Sequence, residues 1–100
     1  MMNLESAQEK VREKLFATNP DIPASFKFDF GDKVIFVDNR VSPPEINRED
    51  QEADCTIHLT LEDLHELLDG KLSPVTAFTT GKMRIDGDMG VAMRLSALFA

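Results

Sequence analysis

The chain has 100 residues, enough for one packed domain over 1–100 and too few for two independent cores. Eleven basic and eighteen acidic residues give a formal charge of −7 with no cluster of Lys or Arg, which argues against nucleic acid as a partner and against adhesion to anionic membranes. A single cysteine, an N-terminus without an apolar segment and no apolar run near the roughly 18 residues of a membrane span predict a cytoplasmic protein without stable membrane insertion.

The first third of the chain predicts a helix followed by a β-hairpin. Apolar residues recur at the helical period over 4–16, with Asn3 as the N-cap. Phenylalanines alternate with charged residues over 26–30, which places three rings on one face of a strand. A two-residue turn with glycine at its first position then leads into a more fully apolar and therefore central strand over 33–38.

Residues 39–52 are polar and contain two consecutive prolines. Because proline cannot donate to a β-ladder, this stretch predicts a connection with at most a short edge strand near Val41.

The next segment predicts a strand and two helices. Alternation over 53–59 predicts the strand, and Thr60 opens a leucine-rich helix that Gly70 ends. Ser73-Pro74 begins a second, short helix that closes at Gly81.

The chain ends in a predicted strand over 82–86, a turn at Gly87-Asp88 and a helix over 89–99. The whole order predicts an α+β domain with a mostly antiparallel sheet.

Catalytic and metal-binding patterns are weak. His58 and His65 have no zinc-ligand spacing, and His65 lies on the polar side of its helix, where a solvated surface histidine is the main interpretation. Cys55 and His58 are three apart on one strand, so their side chains point to opposite faces and a nucleophile dyad is disfavoured. Asp86 and Asp88 fit a turn and a helix cap rather than a calcium loop. We therefore predict no enzyme activity, no cofactor and no metal.

The apolar residues at the end of the chain are the remaining signal. Seven Phe and five Met, without Trp or Tyr, suit a dry interior, and every methionine after Met2 lies between positions 83 and 93. Apolar residues on the last helix cover more than one stripe. The pattern leaves three interpretations open: a core helix, a dimer face, or a wall that covers an apolar ligand.

Several segments together resemble the sterol carrier protein 2 (SCP-2) domain family. They are Ala53-Asp54-Cys55-Thr56-Ile57, Gly70-Lys71-Leu72 with Pro74 and Ala77-Phe78, Gly81-Lys82-Met83-Arg84-Ile85, and Gly87-Asp88-Met89-Gly90-Val91-Ala92-Met93. The resemblance implies a five-stranded sheet with helices packed on one face and an apolar tunnel between the layers. Without a peroxisomal tripeptide after Leu98, the sequence is similar to a small, stand-alone prokaryotic member.

The function implied by the resemblance is non-enzymatic binding and transfer of a long-chain lipid: a fatty acid, fatty acyl-CoA, sterol or isoprenoid. The alternative is an accessory scaffold that presents a lipophilic intermediate to a partner enzyme, with a homodimer or that enzyme contacting the C-terminal helix. The candidate lipid-binding residues share a large apolar side chain: Phe28, Phe36, Phe78, Met83, Ile85, Met89, Met93, Leu95 and Leu98.

Overall fold

A computed structural model describes residues 3–99; Met1, Met2 and Ala100 lie outside this range. The helices are α1 (Leu4–Thr18), α2 (Leu61–Leu68), α3 (Pro74–Thr79) and α4 (Met89–Leu95), and a 3₁₀ helix, Ser96–Phe99, follows α4 directly. The strands are β1 (Ser25–Asp29), β2 (Val34–Asp38), β3 (Glu45–Asn47), β4 (Cys55–His58) and β5 (Arg84–Gly87).

The five strands form one sheet in the order β3-β2-β1-β4-β5. The hairpin partners β1 and β2 are antiparallel, as are β2 with β3 and β4 with β5, whereas β1 and β4 run parallel. The predicted α+β class with a mostly antiparallel sheet is therefore confirmed. β1 occupies the centre of the sheet, and β2 lies between β1 and β3.

Three predicted N-caps form the expected hydrogen bonds. The Asn3 side chain accepts a hydrogen bond from the Ser6 N–H, and Thr60 Oγ1 accepts one from the Asp63 N–H. The carboxylate of Asp88 accepts the N–H of Gly90 at 2.8 Å, so it caps α4 as the turn-and-cap interpretation expects.

The hydrophobic core lies between the helices and one face of the sheet. Alternate residues of β1 and β4, paired as Phe26 with Cys55 and Phe28 with Ile57, point to this face and are buried. The rings of Phe26 and Phe28 meet edge to face, with centroids 5.9 Å apart. The helices contribute the opposing layer: Ala7, Val11, Leu15, Leu64, Leu67, Leu68, Ala77, Val91 and Leu95, with Leu98 and Phe99 from the 3₁₀ helix.

Phe36 lies on the other face of the sheet. In the strand register it is opposite Lys27 on β1 and Asn47 on β3, and it is nevertheless buried. Lys27 Nζ contacts Asp50 Oδ1 at 2.7 Å and the Gln51 carbonyl oxygen at 2.9 Å. These contacts hold the connection between β3 and β4 against the outer face.

Two predicted boundaries need correction. The edge strand is β3 at Glu45–Asn47 rather than near Val41, which is exposed. It starts directly after Pro44, where backbone N–H groups again become available for pairing with β2. The last α-helix ends at Leu95, and its final turn tightens into the 3₁₀ helix, as is common at helix C-termini.

Candidate functional site

An apolar groove with a volume of about 310 Å³ opens at the β5 edge of the sheet. Helix α3 forms one wall, α4 and the start of the 3₁₀ helix form the opposite wall, and β5 with the residue before it lies between them. The lining residues are Pro74, Val75, Phe78, Met83, Ile85, Met89, Ala92, Met93 and Ser96.

Helix α4 serves the core and the groove with separate stripes of side chains. Val91 and Leu95 are buried in the core, four residues apart on one side of the helix. The groove side consists of residues at spacings of three and four along α4 and into the 3₁₀ helix: Met89, Ala92, Met93 and Ser96. The apolar surplus noted in the sequence therefore corresponds to two functions of one helix.

Helix α3 is anchored by its buried side and by the turn that follows it. Ala77 is fully buried against the core, which leaves Val75 and Phe78 to face the groove and solvent. The Ala77 carbonyl oxygen accepts hydrogen bonds from the N–H groups of Lys82 and Met83. These bonds fix the turn and place the Met83 side chain at the groove floor.

A small void of about 30 Å³ continues from the groove toward the core. It shares Met83, Ile85 and Ala92 with the groove and reaches Ile57 and Phe99. The Phe99 ring packs edge to face on Phe28, with centroids 6.4 Å apart. Behind Phe99 the core is filled, so the space between the layers is an open groove with a short inward extension rather than an enclosed tunnel.

The groove lining contains no titratable side chain. Its one polar side chain is that of Ser96, whose hydroxyl donates a hydrogen bond to the Met93 carbonyl oxygen at 2.7 Å. The lining thus offers burial of apolar surface, and no group able to act as a general acid or base.

Cys55 is fully buried in the core and faces away from His58, as the strand alternation predicts. Burial raises the pKa of the Cys55 thiol to about 11, and the nearby carboxylates of Asp88, Asp54 and Asp86 add to this effect. A thiol with this pKa is protonated at neutral pH and is a poor nucleophile.

The two histidines lie away from the groove. On the outer face of the sheet, His58 Nε2 is 2.8 Å from Asp86 Oδ2, and its Nδ1 is 3.7 Å from Asp29 Oδ2. On α2, His65 Nε2 is 3.1 Å from Asp69 Oδ2, while His65 Nδ1 is buried without a hydrogen-bond partner. The described residues contain no group of three or more His, Cys, Asp or Glu side chains arranged to hold a metal ion.

The structure brings five of the nine predicted residues together in the groove: Phe78, Met83, Ile85, Met89 and Met93. Leu95 borders the inner void, whereas Phe28 and Leu98 are fully buried in the core. Phe36 lies on the outer face, separated from the groove by the sheet. The sequence reasoning missed Pro74, Val75, Ala92 and Ser96, although the spacing of Met89 and Met93 predicts that Ala92 and Ser96 share their side of the helix.

Comparison with protein families gives a match along almost the whole chain. The model of the SCP-2 sterol transfer family matches residues 5–100. The chain belongs to this family. Bovine "Sterol carrier protein 2" is 51% identical over 49 residues, which cover 49% of this chain and 9% of the bovine protein. The matching region is thus a small part of that relative.

Solved structures show the same fold. Sterol Carrier Protein 2 Like 2 from Aedes aegypti has a TM-score of 0.75 at 19% identity and covers 93% of both chains. Sterol Carrier Protein-2 from Aedes aegypti in complex with palmitate, a C16 fatty acid, has a TM-score of 0.74 at 22% identity, covering 99% of this chain and 97% of that one. Among residues 3–99 no helix combines the length and the apolar composition needed to cross a bilayer.

Proposed function

We propose that this SCP-2 family member binds a long-chain lipid in the groove between α3, β5 and α4 and transfers it without chemical change. The observation that carries the proposal is the lining itself, which is apolar apart from a serine already bonded to backbone. Such a surface recognises an acyl or isoprenoid chain by burial, which contributes about 0.8 kcal/mol per methylene.

The geometry supports binding with the chain inward and the headgroup at the mouth. The inner void between Ile57 and Phe99 accepts only an apolar end, and the lining offers no charged partner for a carboxylate or phosphate. A volume of about 310 Å³ lies at the lower end of the usual range for ligand sites, roughly 300–1,000 Å³. Fatty acids, fatty acyl-CoA, sterols and isoprenoids all offer a suitable apolar portion. The palmitate complex of the mosquito relative supports the fatty acid as a first probe.

An occlusion variant tests the proposal. Ala92 borders both the groove and the inner void, so Ala92→Phe places a ring where the ligand is expected. Ala97, which is exposed on the 3₁₀ helix and does not line the groove, provides the matched control Ala97→Phe. If the ring displaces three methylenes, affinity falls by about 2.4 kcal/mol, or about 60-fold.

The measurement is a titration with a fluorescent long-chain fatty acid, together with native mass spectrometry of the purified protein. Saturable binding that Ala92→Phe abolishes and Ala97→Phe retains supports the proposal. Absence of binding and of co-purified lipid, or equal affinity in both variants, would overturn it. The scaffold alternative requires in addition that a partner enzyme binds the loaded protein and that this binding disappears with Met93→Asp.

A further inference from the structure

The rim of the groove exposes a concentrated apolar patch. Val75 and Met93 are 72% and 74% exposed, and Phe78 and Met89 are about half exposed. These four residues are the majority of the large apolar side chains that the described chain leaves exposed, and all four border the same groove. A contiguous patch of this kind marks an interaction surface.

The charge near this rim has the opposite sign to that of the molecule. Residues 1–69 carry sixteen acidic and seven basic side chains, whereas residues 70–85 carry Lys71, Lys82 and Arg84 and no carboxylate. Arg84 is 3.9 Å from Asp86, while neither lysine forms an ion pair within the described part of the chain. Lys82 directly precedes the groove residue Met83, which places its positive charge beside the patch.

We propose that this rim, formed by Val75, Phe78, Met89 and Met93 with Lys82 beside them, docks onto the surface of a bilayer that contains anionic lipid. The inference rests on the proposed function, because docking there opens the groove directly to the acyl chains and lets a lipid enter without crossing water. Flexible methionines and an exposed valine enter the boundary between headgroups and chains, and the lysine contacts anionic headgroups.

The acidic remainder of the molecule explains how such docking stays oriented and reversible. An anionic surface attracts the segment 70–85 and repels the rest of the chain, which carries most of the carboxylates. The overall charge of −7 therefore disfavours adhesion by any other face, and the docked state brings only the groove mouth to the lipid.

Vesicle flotation tests the docking with paired variants of exposed residues. Val75→Asp places a charge in the patch, and Val41→Asp places one on an exposed valine that does not line the groove. Lys82→Gln removes the cation beside the patch, and Lys33→Gln removes one from the exposed hairpin turn. The vesicles consist of phosphatidylcholine alone or of phosphatidylcholine mixed with phosphatidylserine.

We expect stronger binding to the vesicles that contain phosphatidylserine, a loss of about fivefold for Lys82→Gln, and loss of flotation for Val75→Asp, with both control variants behaving as the original chain. Equal binding to both vesicles, equal effects of test and control variants, or a patch that instead mediates concentration-dependent self-association or binding of a protein would overturn the docking. Binding of monomeric fatty acid in solution is measured in parallel with Lys82→Gln. Intact binding in solution without flotation refutes docking alone, whereas loss of binding in the original chain refutes the proposed function.

Discussion

Gly87 joins β5 to the cap of α4, and replacing it with alanine tests how closely the β4 and β5 backbones approach. Its φ is +103°, and an added Cβ would lie 2.5 Å from the Asp54 carbonyl oxygen. The same oxygen accepts a hydrogen bond from the Asp88 N–H at 2.8 Å. Alanine therefore forces the strands apart at the point where Asp88 caps the helix that forms a groove wall.

Gly31 provides a control for the backbone conformation alone. It has a φ of +100° in the hairpin turn, and no atom lies within 4 Å of an added Cβ. Both substitutions pay the cost of a positive φ, about 1–3 kcal/mol, reduced by about 0.4–1 kcal/mol through the stiffer unfolded chain. Gly87→Ala also strains or breaks the bond between Asp88 and Asp54, which costs about 1–3 kcal/mol more.

We expect Gly87→Ala to lower the free energy of unfolding by at least about 1 kcal/mol more than Gly31→Ala, a large part of a typical stability of about 5–15 kcal/mol. Guanidinium unfolding followed by circular dichroism measures the difference, since the chain has no Trp or Tyr to serve as a fluorescent probe. Gly87→Ala should also weaken fatty acid binding, because β5 and α4 both line the groove. Equal losses of stability in the two variants would refute the close approach.

Three further outcomes follow from individual side chains. With its pKa raised to about 11 by burial, Cys55 should react with a thiol reagent at pH 8 far more slowly in the native protein than in urea, and equal rates would contradict its burial. The hydrogen bond from Lys10 holds the pKa of Asp69 below its usual value, so its stabilising contribution is present above the unfolded pKa of about 3.9 and is lost as pH falls through the lower folded value; thermal unfolding of Asp69→Asn should therefore depend less on pH below about 4, and an unchanged dependence would refute this. Phe99→Leu should enlarge the inner void and raise the preference for longer acyl chains, by about fourfold per additional buried methylene, in competition titrations; an unchanged preference would exclude Phe99 as the end of the site.

Local patterns predicted the elements of the fold well, because most of their signals are short in range. The caps at Asn3, Thr60 and Asp88 need only neighbouring residues, and each forms as expected. The position of β3 was less accessible, since it depends on where the chain after Pro44 meets β2.

The candidate site was harder to delimit, because large apolar residues in the core and in the groove look alike in a sequence. Val34 through Val37 are all buried, so alternation gave no face for Phe36, and the pairing with Lys27 places it outside the core. Leu98 and Met93 both lie in the apolar end of the chain, yet one is fully buried and the other is the most exposed of the rim residues. Only the way in which α4 and the 3₁₀ helix pack on the sheet separates them.

The two stripes of α4 have a consequence for how ligand preference can change during evolution. Val91 and Leu95 attach the helix to the core, so substitutions there risk the fold. Met89 and Met93 on the other stripe are exposed, where substitutions usually change stability by no more than about 0.5 kcal/mol. A lineage can therefore alter the shape of its groove through one side of one short helix, with little selection against the intermediates on grounds of stability.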